Sequence, residues 1–269
     1  SDGIMKELEI KNLSIHYVTQ RGTVRAGNGI DLALEKGETL GLVGETGAGK
    51  TTTLKCIYNL AKPTSGEILY DDKPILSIEG SYKQDVAMLV GEMDYYSSKT
   101  VKSLTNVTKR FYQSFDERLY QGYLKDFGID ESKQIKALSS GMKVKYGLAL
   151  ALSRGARILL LDEPTSGLDP VSRDELMDIF LDLVADKEHA ILFSTHVISD
   201  LEKCADEIIY IRKGEIIANE DVTRFESSYL HYQGPSEFFA SSKGEFLFCR
   251  DRLGKFEGIA RKSSESRID

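Results

Sequence analysis

The stretch Thr39–Thr52, TLGLVGETGAGKTT, decides the fold. Its first five residues have the apolar character and the length of a short strand, and the spacing G-x-x-x-x-G-K-T begins at Gly44. In such a loop the glycines let backbone N–H groups turn inward around phosphates, and the lysine neutralises phosphate charge. Apolar residues at helical spacing follow, so a helix N-terminus adds to the anion site. The stretch therefore predicts a strand, a phosphate-binding loop and a helix; a glycine turn without a ligand is the alternative.

This loop supplies most of the candidate nucleotide ligands. Lys50 provides positive charge for the β- and γ-phosphates, and the Thr51 hydroxyl can ligate magnesium. A nucleotide with β- and γ-phosphates and Mg²⁺ are therefore the expected cofactors. We expect the nucleotide to be bound by nine consecutive residues: Gly44, Glu45, Thr46, Gly47, Ala48, Gly49, Lys50, Thr51 and Thr52.

A second candidate element is ILLLDEP, Ile158–Pro164, in which four apolar residues lead into two carboxylates. A buried parallel strand would bring Asp162 to its carboxyl end, where magnesium lies on a bound nucleotide. Glu163 points elsewhere and can hold a water in line with the γ-phosphate as general base. Alone, two acids after a strand more often cap a helix. Together with the loop at Gly44 they predict an enzyme that hydrolyses a nucleotide.

The N-terminal part of the chain is rich in strand patterns. We expect a strand over Leu8–Tyr17 with a turn at Lys11-Asn12, because apolar residues alternate on either side of that polar pair. A polar, glycine-containing hairpin over 21–29 and a short strand over Ile30–Leu34 should follow.

The middle of the chain changes to a helical pattern. Between Val101 and Phe127 apolar residues recur at three and four positions, which predicts one or two amphipathic helices with their aromatic side chains packed inside. Continuous apolar runs at Arg157–Leu161 and Ala190–Phe193 then indicate buried parallel strands. The fold class is therefore α/β.

Composition limits the possible partners. The chain has 35 basic and 42 acidic residues and a net charge of −7, with the basic residues scattered along it. Nucleic-acid binding needs a clustered basic face, so we expect no nucleic-acid partner. Three widely separated cysteines have no metal-ligand spacing, which suits a reducing cytosol. No stretch approaches the ~18 apolar residues of a membrane helix. Ser1–Ile4, ahead of Met5, resemble a cloning remnant.

Three further motifs follow the phosphate loop in a fixed order. They are LSSGMK at Leu138–Lys143, LLLDEPTSGLDP at Leu159–Pro170 and STH at Ser194–His196. Over roughly Leu8–Asn219 the chain resembles the ATPase subunit of an ATP-binding-cassette (ABC) transporter. The resemblance implies a P-loop NTPase fold of the ABC type, with a RecA-like core, an antiparallel β subdomain and an α-helical subdomain. Its nucleotide-binding domain would span 5–220, with the helical subdomain at about 95–155 and a short accessory segment at 221–269.

The resemblance also assigns roles to residues that spacing alone does not reveal. Tyr17 lies where the family has the aromatic that stacks on adenine; an ordinary strand aromatic is the alternative. Ser139 and Gly141 match the signature serine and glycine, which contact the γ-phosphate bound by the other subunit, and Met142 stands where the family has glutamine. Asp169 matches the loop that crosses the dimer interface, and His196 matches the histidine that senses the γ-phosphate.

The implied partners follow from these roles. One chain would hold half of each active site, so a second ABC ATPase subunit, identical or related, would close around two ATP molecules. The motion would pass to an integral membrane subunit through a groove beside the helical subdomain. The resemblance thus places the protein in the cytoplasm, peripheral on the inner face of the cell membrane.

The direction of transport rests on the tail. Leu247–Lys262 resembles a short terminal segment of Gram-positive ABC-2 type exporters, including those that export toxic peptides such as phenol-soluble modulins. Val24–Thr52 also resembles oligopeptide-importer ATPases, whose longer, cysteine-bearing tail is missing. We therefore favour export of a peptide or a small amphipathic molecule. The alternatives are an oligopeptide importer and a soluble ABC ATPase of the iron–sulfur-assembly kind, whose signature is typically more glycine-rich than LSSGMK.

One family residue has no direct counterpart. The glutamine that contacts magnesium would fall at Gly91, which has no side chain to offer the metal. Glu92 follows and carries a hard oxygen ligand of similar length. We therefore expect Glu92 to take the glutamine's place at the metal; a solvated loop acid is the alternative.

Overall fold

The computed structural model describes residues 6–19, 22–90, 96–112, 114–239, 246–252 and 254–262. The chain divides into two compact units, Ser1–Ala218 and Asn219–Asp269. Within the described residues no helix is long and apolar enough to cross a membrane.

Strands alternate with helices along most of the chain. The described strands are β1 (Lys6–Thr19), β2 (Gly22–Glu35), β3 (Thr39–Val43), β4 (Ser65–Tyr70), β5 (Lys73–Pro74), β6 (Val86–Val90), β7 (Ile158–Asp162), β8 (Ala190–Thr195), β9 (Glu207–Arg212), β10 (Glu215–Asp221), β11 (Tyr229–Pro235), β12 (Phe246–Arg252) and β13 (Lys255–Arg261). The described α-helices are α1 (Lys50–Ile57), α2 (Glu79–Asp85), α3 (Val101–Thr108), α4 (Glu117–Asp126), α5 (Ser140–Ser153), α6 (Pro170–Ala185), α7 (Ile198–Cys204) and α8 (Val222–Ser228).

A six-stranded sheet of order β10-β9-β3-β8-β7-β6 forms the centre of the first unit. Strands β3, β7 and β8 are buried along their whole length, because the sheet is covered on both faces. They run parallel to one another, with Val43 opposite Thr195 and Asp162 opposite Ser194. The carboxyl ends of these strands therefore meet at one edge, where the loops that follow them come together.

The N-terminal strands form a separate antiparallel sheet of order β2-β1-β4-β5. The turn predicted at Lys11-Asn12 is wrong: β1 continues through it, with a break in register and a left-handed Asn12 at φ 49°. Asp31 stabilises this irregularity by accepting the Asn12 N–H at 2.8 Å. The hairpin predicted to precede Ile30 is likewise strand from Gly22 onward, because β1 supplies hydrogen-bond partners that the polar sequence does not reveal.

Three helices, α3, α4 and α5, share a second core. Thr105 lies at its centre, where its hydroxyl is 2.7 Å from the Tyr120 hydroxyl and 2.8 Å from that of Tyr146. The predicted helical pattern corresponds to two helices, α3 and α4, and Asp116 begins the second by accepting the Leu119 N–H. The prediction that the aromatics pack inside is wrong for Phe111, which is 71% exposed.

The second unit contains the three-stranded antiparallel sheet β11-β13-β12. Phe246 and Phe256 are buried against each other with ring centroids 4.8 Å apart, and Ala260 completes this small core. Edge-to-face aromatic packing of this kind can stabilise a sheet that has little apolar area.

Candidate nucleotide site

The phosphate loop joins the end of β3 to the start of α1 and depends on close backbone approaches. A Cβ atom on Gly44 would lie 2.2 Å from the Ile211 carbonyl oxygen. Gly49 has φ 109°, and a Cβ there would lie 1.9 Å from the Ala26 carbonyl oxygen. Only glycine fits at either position. The loop is thus wedged between β9 and β2, which fixes the start of α1.

Lys50 is folded back over the loop. Its ammonium group donates to the carbonyl oxygens of Gly44 at 2.6 Å and Glu45 at 3.1 Å, and it lies 3.6 Å from Glu163 Oε1. The side chain is only 6% exposed. Burial lowers the pKa of Lys50, and the nearby Glu163 carboxylate opposes that shift. A buried cation held by carbonyl dipoles can turn toward phosphate oxygens when they arrive.

Thr51 and Asp162 meet although they are 111 residues apart in the chain. The Thr51 hydroxyl donates to Asp162 Oδ1 at 2.9 Å, and the buried Ser194 hydroxyl donates to the same oxygen at 2.7 Å. A hydroxyl and a carboxylate are hard oxygen ligands, which fits magnesium. The described residues contain no group of three or more His, Cys, Asp and Glu side chains that could hold a metal. A magnesium ion here would therefore need phosphate and water oxygens as well.

A short contact joins Glu163 to His196. Glu163 Oε2 lies 2.6 Å from His196 Nδ1, and both side chains are only partly exposed. Glu163 has a left-handed backbone at φ 50°, which is uncommon for a residue with a side chain. Its N–H donates to the Ser194 hydroxyl at 2.9 Å and points toward the Ser194 carbonyl oxygen at 3.2 Å. The turn after β7 thus directs Glu163 toward both His196 and Lys50.

The predicted signature residues lie at the start of α5. Ser139 is exposed and caps the helix, with its hydroxyl accepting the Met142 N–H at 3.2 Å. Gly141 is buried, and a Cβ on it would lie 3.5 Å from the Cβ of Ser172 in α6. A Cβ at that distance would make an ordinary van der Waals contact, so the packing of α5 on α6 does not itself require a glycine.

Asp169 is exposed and caps α6. Its Oδ1 accepts the N–H groups of Val171 and Ser172 at 3.1 and 3.0 Å, and its Oδ2 accepts the Ser172 hydroxyl at 2.7 Å. These hydrogen bonds hold the pKa of Asp169 below its usual range. The hydrogen bonds described for Ser139 and Asp169 thus reach no further than three residues along the chain.

A family model described as ABC transporter matches residues 27–166, which include the phosphate loop, Asp162 and Glu163. This chain belongs to that family. ABC ATPases bind and hydrolyse ATP, so the chain is an ATPase subunit of a transporter. The predicted P-loop NTPase fold of the ABC type is confirmed.

Several curated ABC ATPases are similar over most of this chain. YtrB of Bacillus subtilis is 30% identical over 76% of this chain and 70% of its own length. NatA of the same organism is 30% identical over 78% and 87%, and the methionine import protein MetN 1 of Bacillus cereus is 28% identical over 83% and 67%.

Solved structures of ABC ATPases are similar to this chain in fold. CbiO1 of Clostridium perfringens, part of the transporter complex cbiONQ, is 26% identical with a TM-score of 0.70, covering 82% of this chain and 91% of its own. A cassette solved as a dimer with ADP and phosphate is 21% identical with a TM-score of 0.68, covering 80% and 98%, which shows the fold alone.

Two family-derived expectations concern the edges of the site in this ABC ATPase. Tyr17 lies on β1 opposite Val24 and is 45% exposed. Val24 is two residues before Ala26, whose carbonyl oxygen approaches Gly49, so Tyr17 belongs to the hairpin that packs on the phosphate loop. Gly91 and Glu92 lie outside the described residues, so Glu92 as a metal ligand stays a prediction.

Sequence reasoning missed the roles of two residues that hold the site together, Ser194 and Asp200. Ser194 lies within the STH motif, but the motif alone does not show that its hydroxyl touches both Asp162 and Glu163. Asp200 is 2% exposed and accepts the hydroxyls of Thr165 at 2.6 Å and Thr195 at 3.2 Å. This carboxylate joins the loop after Glu163 to the end of β8, immediately before His196. No spacing rule predicts it, because the contact depends on how α7 packs.

A cleft of about 540 Å³ lies between the central sheet and the helical part of the ABC ATPase. Its walls are mostly apolar, and Asp162 and Pro164 line it together with Leu89, Val90 and Tyr96. Arg154 lies in the same wall, donating to the Val86 carbonyl oxygen at 2.7 Å and lying 4.2 Å from the Tyr112 ring centroid. The cleft thus borders the nucleotide site.

Proposed function

We propose that Glu163 is the general base of ATP hydrolysis and that His196 orients its carboxylate. The contact of 2.6 Å between Glu163 Oε2 and His196 Nδ1, with Lys50 Nζ 3.6 Å from the other carboxylate oxygen, is the observation that carries this proposal. A carboxylate fixed between a histidine and a lysine can accept a proton from an attacking water while the lysine neutralises phosphate charge.

In the same proposal the phosphate loop, residues 44–52, binds the phosphates. Lys50 leaves the Gly44 carbonyl oxygen and binds the β- and γ-phosphates, and backbone N–H groups of the loop complete the cradle. Thr51 and Asp162 would hold Mg²⁺, with Glu92 near it. Bound magnesium would withdraw charge from the phosphate oxygens. Tyr17 would stack on the adenine.

The decisive test of this catalytic role is Glu163→Gln. The amide cannot accept the proton of the water, so turnover should fall about 100-fold or more, while ATP binding is retained. ATPase rate and ATP affinity should be measured on the same preparations. Glu79→Gln, an exposed change on α2, is the matched control and should keep wild-type turnover. Wild-type turnover in Glu163→Gln would show that Glu163 is not the general base.

The exposed side chains of Ser139 and Asp169 support a dimeric enzyme. Ser139, Gly141, Met142 and Asp169 would contact the ATP held by a second ABC ATPase subunit, either a copy of this chain or a related one. The N-termini of α5 and α6 offer partial positive charge for that contact. The dimer would close on ATP and open after hydrolysis.

For the transporter as a whole, export of a peptide or small amphipathic molecule is the direction proposed. The support is the exporter-like segment 247–262, and the mostly apolar cleft beside the central sheet would receive the membrane subunit. The protein would then lie at the inner face of the cell membrane. Import is the second candidate, because MetN of Bacillus cereus and PhnC of Wolinella succinogenes are import ATPases by name.

Transport direction can be tested with the membrane subunit encoded beside this gene. Reconstituted in proteoliposomes, the complex should move cargo peptide away from the face that carries the ATPase when ATP is added on that face. Complexes with Glu163→Gln are the control. Movement toward the ATPase face would establish the importer.

A further inference from the structure

The hydroxyl of Ser194 lies between the two carboxylate residues of the ATPase site. Ser194 is fully buried on β8, directly opposite Asp162 on β7. Side chains of residues that face each other on neighbouring strands lie on the same side of the sheet. The register of β7 and β8 therefore places this hydroxyl beside Asp162.

The hydrogen-bond directions at Ser194 are fixed by chemistry. The Glu163 N–H, 2.9 Å away, can only donate, so the hydroxyl oxygen accepts it. A serine hydroxyl has a single proton, and that proton goes to Asp162 Oδ1 at 2.7 Å. One hydroxyl thus uses its donor on one carboxylate residue and its acceptor on the backbone of the other.

We infer that Ser194 is a positioning residue for ATP hydrolysis, which holds Asp162 and Glu163 in their working arrangement at once. Glu163 has an unfavourable left-handed backbone, and the Ser194 hydroxyl binds the N–H group of that strained residue. Thr51 shares Asp162 Oδ1 with Ser194, so Ser194 still orients the carboxylate when the Thr51 hydroxyl turns to a metal. This inference rests on the proposed roles of Asp162 and Glu163.

The first test compares Ser194→Ala with Ser194→Thr. Loss of the hydroxyl should lower kcat about 10-fold or more, as for other groups that orient a catalytic ligand, and leave the KM for ATP within about twofold. Threonine keeps the hydroxyl and should restore most of kcat. Ser153→Ala is the matched control, because Ser153 is also buried and its hydroxyl has no hydrogen-bond partner among the described residues. It should keep wild-type kcat.

A second readout does not depend on turnover. Titration of ATP binding with Mg²⁺ should show a several-fold higher magnesium requirement in Ser194→Ala, because Asp162 loses one of the two donors that orient it. Thermal unfolding of the same samples should show whether Ser194→Ala is folded at the assay temperature. If it is not, the kcat of Ser194→Thr and its magnesium requirement decide the question.

The outcomes separate this inference from the proposed function. Unchanged kcat in Ser194→Ala, or an equal loss in Ser194→Ala and Ser194→Thr, would overturn the positioning role. A loss that adds in full to that of Glu163→Gln in single-turnover assays would do the same, since residues that act as a unit are not additive. Wild-type turnover in Glu163→Gln would instead defeat the proposed function itself.

Discussion

Two sets of candidate residues in this ATPase differ in what holds them. The Lys50 cluster, meaning Lys50, Thr51, Asp162, Glu163 and His196, is joined by contacts between residues up to 113 positions apart. The capping pair, Ser139 and Asp169, bonds within its own helices. Long-range contacts complete the Lys50 cluster inside one chain. The capping pair stabilises the N-termini of α5 and α6, and its side chains remain exposed.

Because of this difference, a mutation in the Lys50 cluster and a mutation in the capping pair should have different consequences. A member of the Lys50 cluster is held by other functional residues, so its loss disturbs several of them. A capping residue can be removed at the cost of one local hydrogen bond, yet its exposed atoms are the ones that a second subunit would reach.

The largest expected effect is that of Lys50→Ala on ATP affinity. The change removes the positive charge that would face the β- and γ-phosphates, and charge-assisted contacts of this kind are worth about 3 kcal/mol or about 100-fold in affinity. ATP binding should be measured by titration calorimetry. Lys62→Ala, an exposed lysine after α1, is the control. Unchanged ATP affinity in Lys50→Ala would show that Lys50 does not contribute to phosphate binding.

The next effect concerns the buried carboxylate of Asp200. Asp200→Ala leaves the hydroxyls of Thr165 and Thr195 without their acceptor and leaves Arg173 Nε, 3.8 Å from Asp200 Oδ1, without its ion pair. Unfolding free energy should fall by about 3 kcal/mol.

Urea unfolding measures this loss, and Asp200→Asn should recover part of it, because the amide oxygen can still accept one hydroxyl. Equal stability of Asp200→Ala and the wild-type protein would show that this long-range link contributes nothing to the fold.

The sequence predicts most of the Lys50 cluster but not the residues that support it, for a physical reason. The glycine spacing and the ILLLDEP run predict the loop, β7 and the neighbouring carboxylates, because local backbone geometry requires those residue types. Ser194 and Asp200 gain their importance from strand register and from the packing of α7, which no local pattern encodes. The same holds for β1, where pairing with β2 overrides the turn that Asn12 suggests.

A smaller effect on stability should separate the capping pair from the Lys50 cluster. Ser139→Ala removes the cap of α5 and should cost about 1 kcal/mol of unfolding free energy. ATP binding by the isolated chain should be unchanged, while ATP-dependent dimer formation by the Glu163→Gln variant should weaken.

Light scattering of Glu163→Gln with and without Ser139→Ala checks this prediction. Thr100→Ala removes the comparable cap of α3 and is the control for lost helix capping. A matching loss of dimer in the control would show that Ser139 acts through helix stability alone.

The smallest effect is a pH dependence of stability that arises at the amino end of β3, away from the phosphate loop. Glu38 precedes β3, and burial together with the nearby acids Glu207, Glu35 and Asp206 raises its pKa to about 7, although the Glu35 N–H donates to it at 2.6 Å. The folded protein therefore holds this proton at a pH where the unfolded chain has released it. Stability from this group is present at acidic pH and is lost as pH rises through about 7.

Glu38→Gln should remove that dependence. Because Glu38 is partly solvated, the wild-type protein should lose about 1 kcal/mol more than the variant between pH 5.5 and pH 8 in urea unfolding. Glu202→Gln, exposed on α7, should keep the wild-type slope. ATP affinity should be the same in Glu38→Gln and the wild-type protein at both pH values, because Glu38 lies at the amino end of β3 and the phosphate loop at its carboxyl end. A shift in ATP affinity would show that coupling to the Lys50 cluster extends along the whole strand.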